Sequence, residues 1–359
     1  MINLTQPFFD QKVKQEFITA IKNHDFDGNI YIKRFIDELG ATYGLPYGLC
    51  VNSGTSALII SLATAGVKRG DSVMVPVYTC KAILDAIYLL GAKPILVDVY
   101  CDYKKMDFNL DEEAASKKLT ADIKSIILPY AFGKVHTYHD LWKTGIPIIE
   151  DVTLSLGAEL KKTRQGKRIV VASLHSSKVI SAFEGGVILT DDYDIYQKLL
   201  KLVDIITVNK HERTMPAEKI KYEMNYSFRP SELNFLYGYL QLKRLKKFIA
   251  KRQKIAKAYI ERLDKSKYDL PVFEKATVYF RFIVGLKRFD VVSVLGYLSR
   301  HGIEAGRGIY PLLSDYFHDK QKFINAETAV NKSLSIPLHL GIKDKEINKI
   351  ITLLNLYEE

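Results

Sequence analysis

A chain of 359 residues is long enough for roughly two domains and a large core, and 47% apolar content is ordinary for a globular fold. Fifty-two Lys and Arg against 41 Asp and Glu leave a formal charge of +11, yet no helix-turn-helix or zinc-finger pattern accompanies it, so a nucleic-acid partner is not expected. No run approaches the roughly 20 apolar residues of a membrane helix, and Met1-Ile-Asn-Leu-Thr-Gln-Pro7 lacks a basic-then-apolar leader, so no membrane partner is expected either.

Residues 10–45 read as helical, with Phe17, Ile18 and Ile21, then Phe35 and Ile36, on apolar faces. Short β-rich runs then alternate with helices. Strands are expected at 48–52, 72–76, 94–99, 125–129, 146–150, 169–174 and 186–190, with helices between them that include 55–65 and 79–90. That rhythm implies an α/β fold, a mostly parallel seven-stranded sheet covered by helices on both faces. One long helix over about 231–263 is expected to lead away from it. The pattern changes after Lys275: an apolar run at 278–284, a helix at 290–300 and a closing helix at 343–357 read as a small α+β domain. The division expected is a large domain over 1–245 and a small one over 246–359.

The densest basic stretch, residues 243–254, carries Leu242, Leu245, Phe248, Ile249 and Ile255 at helical spacing. It reads as a helix with a solvated basic face, whose positive field would also raise the encounter rate of an anionic substrate. Cys50, Cys80 and Cys101 form no Cys-x-x-Cys pair, which argues against a disulfide scaffold or a zinc site and suits a reducing cytoplasm.

Three motifs in order carry chemistry. Ser53-Gly54-Thr55-Ser56 runs from a strand into a helix; Glu150-Asp151 ends an apolar strand; Ser173-Leu-His175-Ser-Ser-Lys178 follows another. Together they supply what pyridoxal 5'-phosphate (PLP) needs. Its pyridine nitrogen works as an electron sink when a carboxylate keeps it protonated, and Asp151 sits at a strand end where ligands of parallel sheets bind. Its aldehyde needs a lysine as an imine, which Lys178 supplies. Its phosphate needs N–H groups at a helix start, where Gly54 permits close approach, Thr55 and Ser56 add hydroxyls, and Ser173 adds another. Lys178 alone would be a surface lysine and Asp151 alone a turn residue; the ordered set gives them their meaning.

These motifs resemble the DegT/DnrJ/EryC1/StrS family of sugar aminotransferases over nearly the whole chain. Gly70-Asp71, Val73-Met-Val-Pro76, Thr79, Gly91-Ala-Lys-Pro94, Asp98, Leu156-Gly-Ala158, Glu184-Gly-Gly186, Arg229-Pro-Ser-Glu232, Gln241, Arg252 and Leu334-Ser-Ile-Pro-Leu338 extend the likeness. The resemblance implies a fold type I transferase, glutamate as amino donor, a nucleotide-linked keto-sugar as acceptor, and a homodimer with shared sites. The product class it implies is an amino sugar for surface polysaccharides or antibiotics.

Several positions depart from the family's pattern. Cys80 stands where an aromatic ring usually stacks on the cofactor, and Leu154 where Gln or His is common near it. Tyr130 replaces a frequent histidine, and Phe183 the first glycine of Gly-Glu-Gly-Gly. In Asn225-Tyr-Ser227-Phe-Arg229, Ser227 holds the place of an asparagine that reaches the partner subunit's phosphate, and Asn225 is displaced. Cofactor contacts are therefore expected from Gly54, Thr55, Ser56, Cys80, Asp151, Leu154, Ser173, Lys178, Asn225 and Ser227, with Lys178 and Asp151 catalytic. Tyr130, His175, Arg229 and Tyr310 are candidates for touching substrate; Tyr310 reads equally as core packing and Arg229 as a structural salt bridge, and His175 reads as structural or substrate-lining rather than as a base. Two other functions remain open. A dehydratase of the same fold is disfavoured because those enzymes carry histidine in place of the lysine. A regulatory protein would be expected to have lost Lys178 or Asp151, or to have gained a DNA-binding domain.

Overall fold

The computed structural model describes residues 1–8, 11–23, 29–161, 168–203, 225–318 and 321–358. Helices α1 (Gln11–Lys22) and α2 (Ile30–Tyr43) open the chain. Strands β1 (Tyr47–Val51), β2 (Ser72–Pro76), β3 (Lys93–Val97), β4 (Ile123–Pro129), β5 (Ile148–Asp151), β6 (Arg168–Ser173) and β7 (Gly186–Thr190) form one seven-stranded sheet in the order β1-β7-β6-β5-β4-β2-β3. Neighbours from β6 to β3 run parallel, while β7 is antiparallel to both β1 and β6. The central strands are apolar and buried on both faces, as helix-covered parallel strands must be.

Helices α3 (Gly54–Thr64), α4 (Ala82–Leu89), α5 (Glu112–Ser116), α6 (Asp140–Lys143) and α7 (Tyr193–Leu202) connect the strands. The expected long helix at 231–263 is instead two: α8 (Glu232–Leu242) and α9 (Leu245–Arg262). The break falls at Lys243-Arg244, where Arg244 leaves helical geometry (φ −108°, ψ 5°) and its guanidinium donates to Leu240 O and pairs with Glu16 of α1 at 3.0 Å. Contacts with α1 thus override an uninterrupted helical pattern. The basic face of α9 lies opposite its buried Leu245, Phe248, Ile255 and Tyr259.

Beyond α9, β8 (Tyr268–Asp269), β9 (Phe282–Leu286) and β10 (Ser333–Ile336) form an antiparallel sheet in the order β10-β9-β8, with α10 (Val291–Arg300), α11 (Ile324–Lys332) and α12 (Asp344–Leu356) around it. Buried residues of the two sheets, among them Val73 and Val75 of one and Phe282 and Val284 of the other, belong to one continuous core. No helix among the described residues is long and apolar enough to cross a membrane.

Candidate active site

Asp151 is the last residue of β5 and pairs with Pro129 of β4 and Val171 of β6. Alternation along the strand turns its neighbour Glu150 to the other face. There Glu150 accepts from the Tyr130 hydroxyl at 2.6 Å and lies 2.6 Å from Arg168 Nε, a close ion contact rather than an aligned hydrogen bond. Asp151 instead looks into a cavity of about 370 Å³. Its Oδ1 accepts from Thr153 N at 2.9 Å. Burial pushes its carboxyl above the usual range, although the Thr153 bond and the Lys178 charge oppose that shift. A buried carboxylate held this way lacks a full counter-charge, and a protonated pyridine nitrogen fits the need.

Lys178 follows β6 in a turn closed by its own N–H on His175 O at 2.9 Å. It lines the same cavity, with Nζ 5.7 Å from the centre of the Phe280 ring. Burial lowers its ammonium pKa, with Cys80 and Asp151 acting the other way. Lowering makes the nucleophilic free amine more available. Cys80, Tyr130, Leu154 and Tyr310 also line the cavity. The Cys80 thiol is pushed up by burial and by Asp151, so it remains a small neutral wall. Tyr130 is buried with its hydroxyl committed to Glu150, so what it offers the cavity is ring surface. Tyr310 is 64% exposed at the mouth, beneath the Arg307 guanidinium at 4.8 Å.

The phosphate end of the site forms where α3 begins. Ser53 caps the helix, accepting from Ser56 N at 3.1 Å. The Ser56 hydroxyl is directed back to Asn52 Oδ1 at 2.6 Å, where it shapes the turn. A Cβ at Gly54 would lie 2.5 Å from Ser173 Cβ and 3.0 Å from its Oγ. That contact places the Ser173 hydroxyl beside the N-terminus of α3, next to Thr55. Ser173 N donates to Thr153 Oγ1 at 2.9 Å, which ties this cradle to the Asp151 turn. The helix start, the hydroxyl, the buried carboxylate and the lysine form a donor set matched to PLP.

Gly54, Thr55, Ser56 and Ser173 form the cradle at the start of α3 and are not among the residues lining the cavity itself, and four further candidates lie outside both. His175 is exposed, 3.0 Å from Ser177 Oγ and 3.5 Å from Glu184, a structural arrangement. Asn225 and Ser227 are exposed on a segment held against β1 by Asn52 N on Phe228 O at 3.1 Å. Arg229 borders a different hollow, with Tyr47, Tyr196 and Lys33.

Sequence reasoning missed Phe280 and Arg281, and also Thr79, Lys81, Ser177 and the 308–311 segment, all of which line the cavity. The run at 278–284 signalled only a strand. Phe183 explains itself in part: its φ is +60°, the left-handed geometry that glycine accepts most easily. Its ring stacks on Tyr237 at 4.5 Å, a contact glycine would lack.

Comparison with known proteins places this architecture. Residues 8–355 match the DegT/DnrJ/EryC1/StrS aminotransferase family. The chain belongs to that family. A Campylobacter jejuni UDP-4-amino-4,6-dideoxy-N-acetyl-beta-L-altrosamine transaminase is 26% identical over 370 residues, covering 97% of this chain and 96% of its own. A Caulobacter vibrioides GDP-perosamine synthase is 25% identical over 350 residues, covering 90% of each. A putative sugar aminotransferase of Streptococcus pneumoniae, solved in its PMP form, superposes with a TM-score of 0.85 at 19% identity, covering 99% of this chain and 98% of that one. An E. coli GDP-4-keto-6-deoxy-D-mannose-3-dehydratase with bound hydrated PLP does so at 0.82 and 21%, covering 99% of each. The two structures share the fold.

Proposed function

We propose that this protein is a PLP-dependent aminotransferase that moves an amino group from an amino acid, L-glutamate in the first instance, to a nucleotide-linked keto-sugar. The observation that carries it is the meeting of Lys178 and Asp151 in one cavity, beside a helix N-terminus with Ser173 against it. The names of the curated relatives support the sugar-nucleotide part. When bound, PLP supplies an electron sink that makes the donor's Cα–H acidic.

The protein's residues do the rest. Asp151 holds the pyridine nitrogen protonated. Backbone N–H groups at the start of α3, with Thr55 and Ser173, hold the phosphate. Lys178 anchors the cofactor and, once displaced by the donor amine, holds and moves the proton. Cys80 and Leu154 pack against the ring. Lys178 also favours amine transfer over a dehydratase reaction. This reading keeps two domains, 1–245 and 246–359, with the cavity lined from both. It includes a homodimer in which Asn225 or Ser227 reaches the partner's phosphate; their exposure away from their own cavity supports that. A cytoplasmic setting suits three cysteines that are all free.

The test is direct. Protein loaded with PLP and reduced with borohydride should yield a pyridoxyl group on the peptide containing Lys178. Supplied with 2-oxoglutarate and a UDP- or GDP-linked 4-amino-4,6-dideoxy sugar, it should form glutamate by the reverse reaction. A label on another lysine, or no amine transfer with either nucleotide sugar, would overturn the reading.

A further inference from the structure

Arg252 is among the residues that carry the family likeness, and the mechanism leaves it idle. It sits on α9 and is 5% exposed. Burial holds its guanidinium below the usual range, to about 10, and no carboxylate among the described residues offsets that. Its Nη1 donates instead to three carbonyls: Phe280 O at 3.0 Å, Leu338 O at 3.2 Å and Tyr279 O at 3.3 Å. A buried cation is costly unless hydrogen bonds complete it. These three bonds are therefore what holds the charge there, and what the charge holds.

What Arg252 grips is a strained part of the cavity wall. Tyr279 has φ +53°, and Phe132, across from it, also has φ +53°. Bulky side chains resist that left-handed geometry, and it persists where surrounding contacts over-determine it. Here Val278 N donates to Gly133 O and Phe280 N to Phe132 O, each at 3.0 Å. Those bonds tie the turn to the loop after β4. Arg252 ties it to α9 and to the chain leaving β10. Phe132 and Phe280 both line the cavity. The Phe280 ring is thereby fixed with its centre 5.7 Å from Lys178 Nζ and 6.0 Å from the Arg252 guanidinium.

Burial is the largest influence on the Lys178 amine. The charged or titratable groups that act on it are few. Asp151 at the end of β5 and the Cys80 thiol before α4 favour the ammonium, and the Arg281 guanidinium before β9 disfavours it. Toward the small sheet, the Phe280 ring lies against Nζ. A ring that swung away would admit water there, and water favours the ammonium, which is no nucleophile. Resting on the aminotransferase reading for the role of Lys178, we propose that Arg252 is a positioning residue: its grip on the Tyr279–Phe280 turn keeps the Phe280 ring against Lys178 and so keeps the amine dry and nucleophilic.

Reductive methylation of the apo-protein with formaldehyde and cyanoborohydride, read at Lys178 by peptide mass spectrometry across pH, reports where that amine loses its proton and needs no cofactor. Arg252→Met, an unbranched chain without donors, should move the Lys178 profile to higher pH by about half a pH unit or more, because a loosened ring lets water favour the charged form. Phe280→Leu should move it similarly with Arg252 in place. Arg252→Lys, whose ammonium keeps a charge and three donors, should restore at least part of the parental profile. Arg252→Met combined with Phe280→Leu should move it no further than Phe280→Leu alone, since both act through one ring. The visible absorbance of the PLP-loaded protein should titrate with the same upward shifts. An unshifted profile in Arg252→Met with lowered urea stability would make Arg252 a structural clasp only. Additive shifts in the double variant would mean that its charge acts and its grip does not. Either result overturns the proposal. Where Arg252→Met folds poorly, an unshifted profile in Phe280→Leu overturns it alone. The identity of the cofactor lysine is scored separately: a borohydride label on another residue fells the aminotransferase reading.

Discussion

Gly54→Ala tests the cradle at its tightest point. The added methyl would stand 2.5 Å from Ser173 Cβ and 3.1 Å from Ser173 Cα, well inside contact distance. Neither atom is the end of a flexible side chain, so β6 or the start of α3 must shift. Overpacking of this kind typically costs about 1–3 kcal/mol. If the shift also displaces the α3 N-terminus from the phosphate, the same figure weakens PLP binding by about 5- to 150-fold. The assay is urea unfolding of the apo-protein together with PLP titration. The decisive control is Gly54→Ala with Ser173→Gly, which removes the opposing Cβ. Stability should return to within about 0.5 kcal/mol of Ser173→Gly alone, a coupling that distant sites do not show. PLP affinity should return only in part, because the Ser173 hydroxyl is gone. A Gly54→Ala protein with parental stability and affinity, or a double variant no better than the single, would refute the steric account.

Two further substitutions probe the end of β5 and its ion contact with β6. The folded-state pKa of Asp151 is raised by burial, so the apo fold binds this proton more tightly than the unfolded chain and loses stability as pH rises above the ordinary carboxylate range. Apo Asp151→Asn should therefore be the more stable protein at neutral pH, with the gap closing as pH falls toward that range, while its half-reaction with donor slows more than about a thousandfold; a rate within tenfold of the parent would place the pyridine partner elsewhere. Arg168→Leu leaves the Glu150 carboxylate buried without its ion partner and should cost about 3–5 kcal/mol by urea unfolding. Adding Glu150→Leu should recover much of that, and no recovery would mean that Arg168 acts through its Trp142 and Lys161 contacts instead.

Much of the large sheet was legible because buried parallel strands are short apolar runs bounded by turns. The strands at 72–76 and 186–190 fall where the pattern puts them. Lys178 and Asp151, which line one cavity, stood out because Asp151 ends such a run and Lys178 follows one. The break at Lys243-Arg244 was not, since it depends on Glu16, more than 200 residues away. Helices 193–202 and 324–332 went unread as well: α7 lies between the Glu184-Gly-Gly186 and Arg229 motifs, and α11 is mostly polar. Arg281 stayed invisible for a related reason. In Phe280-Arg281-Phe282 it looks like the solvent-facing residue of an alternating strand, and only the approach of the small sheet to β5 and β6 makes that side a cavity wall. At Ser56 the sequence shows a hydroxyl at a helix start, while only the fold shows it directed to Asn52.

The antiparallel strand explains why motifs more than 100 residues apart meet. β1 and β6 are not neighbours; β7 lies between them. Because β7 runs opposite to both, its first residue, Gly186, pairs with Val51 at the end of β1 and with Ser173 at the end of β6. The chain leaving β1 toward α3 and the chain leaving β6 toward Lys178 therefore emerge on either side of one residue. A Cβ there would lie 2.1 Å from Ser53 O and 3.0 Å from Gly54 N. Glycine at 186 thus brings the phosphate turn against the strand, and glycine at 54 brings it against Ser173. Were β7 parallel, its opposite end would lie at this edge and Glu184-Gly-Gly186 would stand at the far side of the sheet. The Gly-Gly pair after Lys178 is in this sense part of the phosphate site, although no atom of it need touch the phosphate.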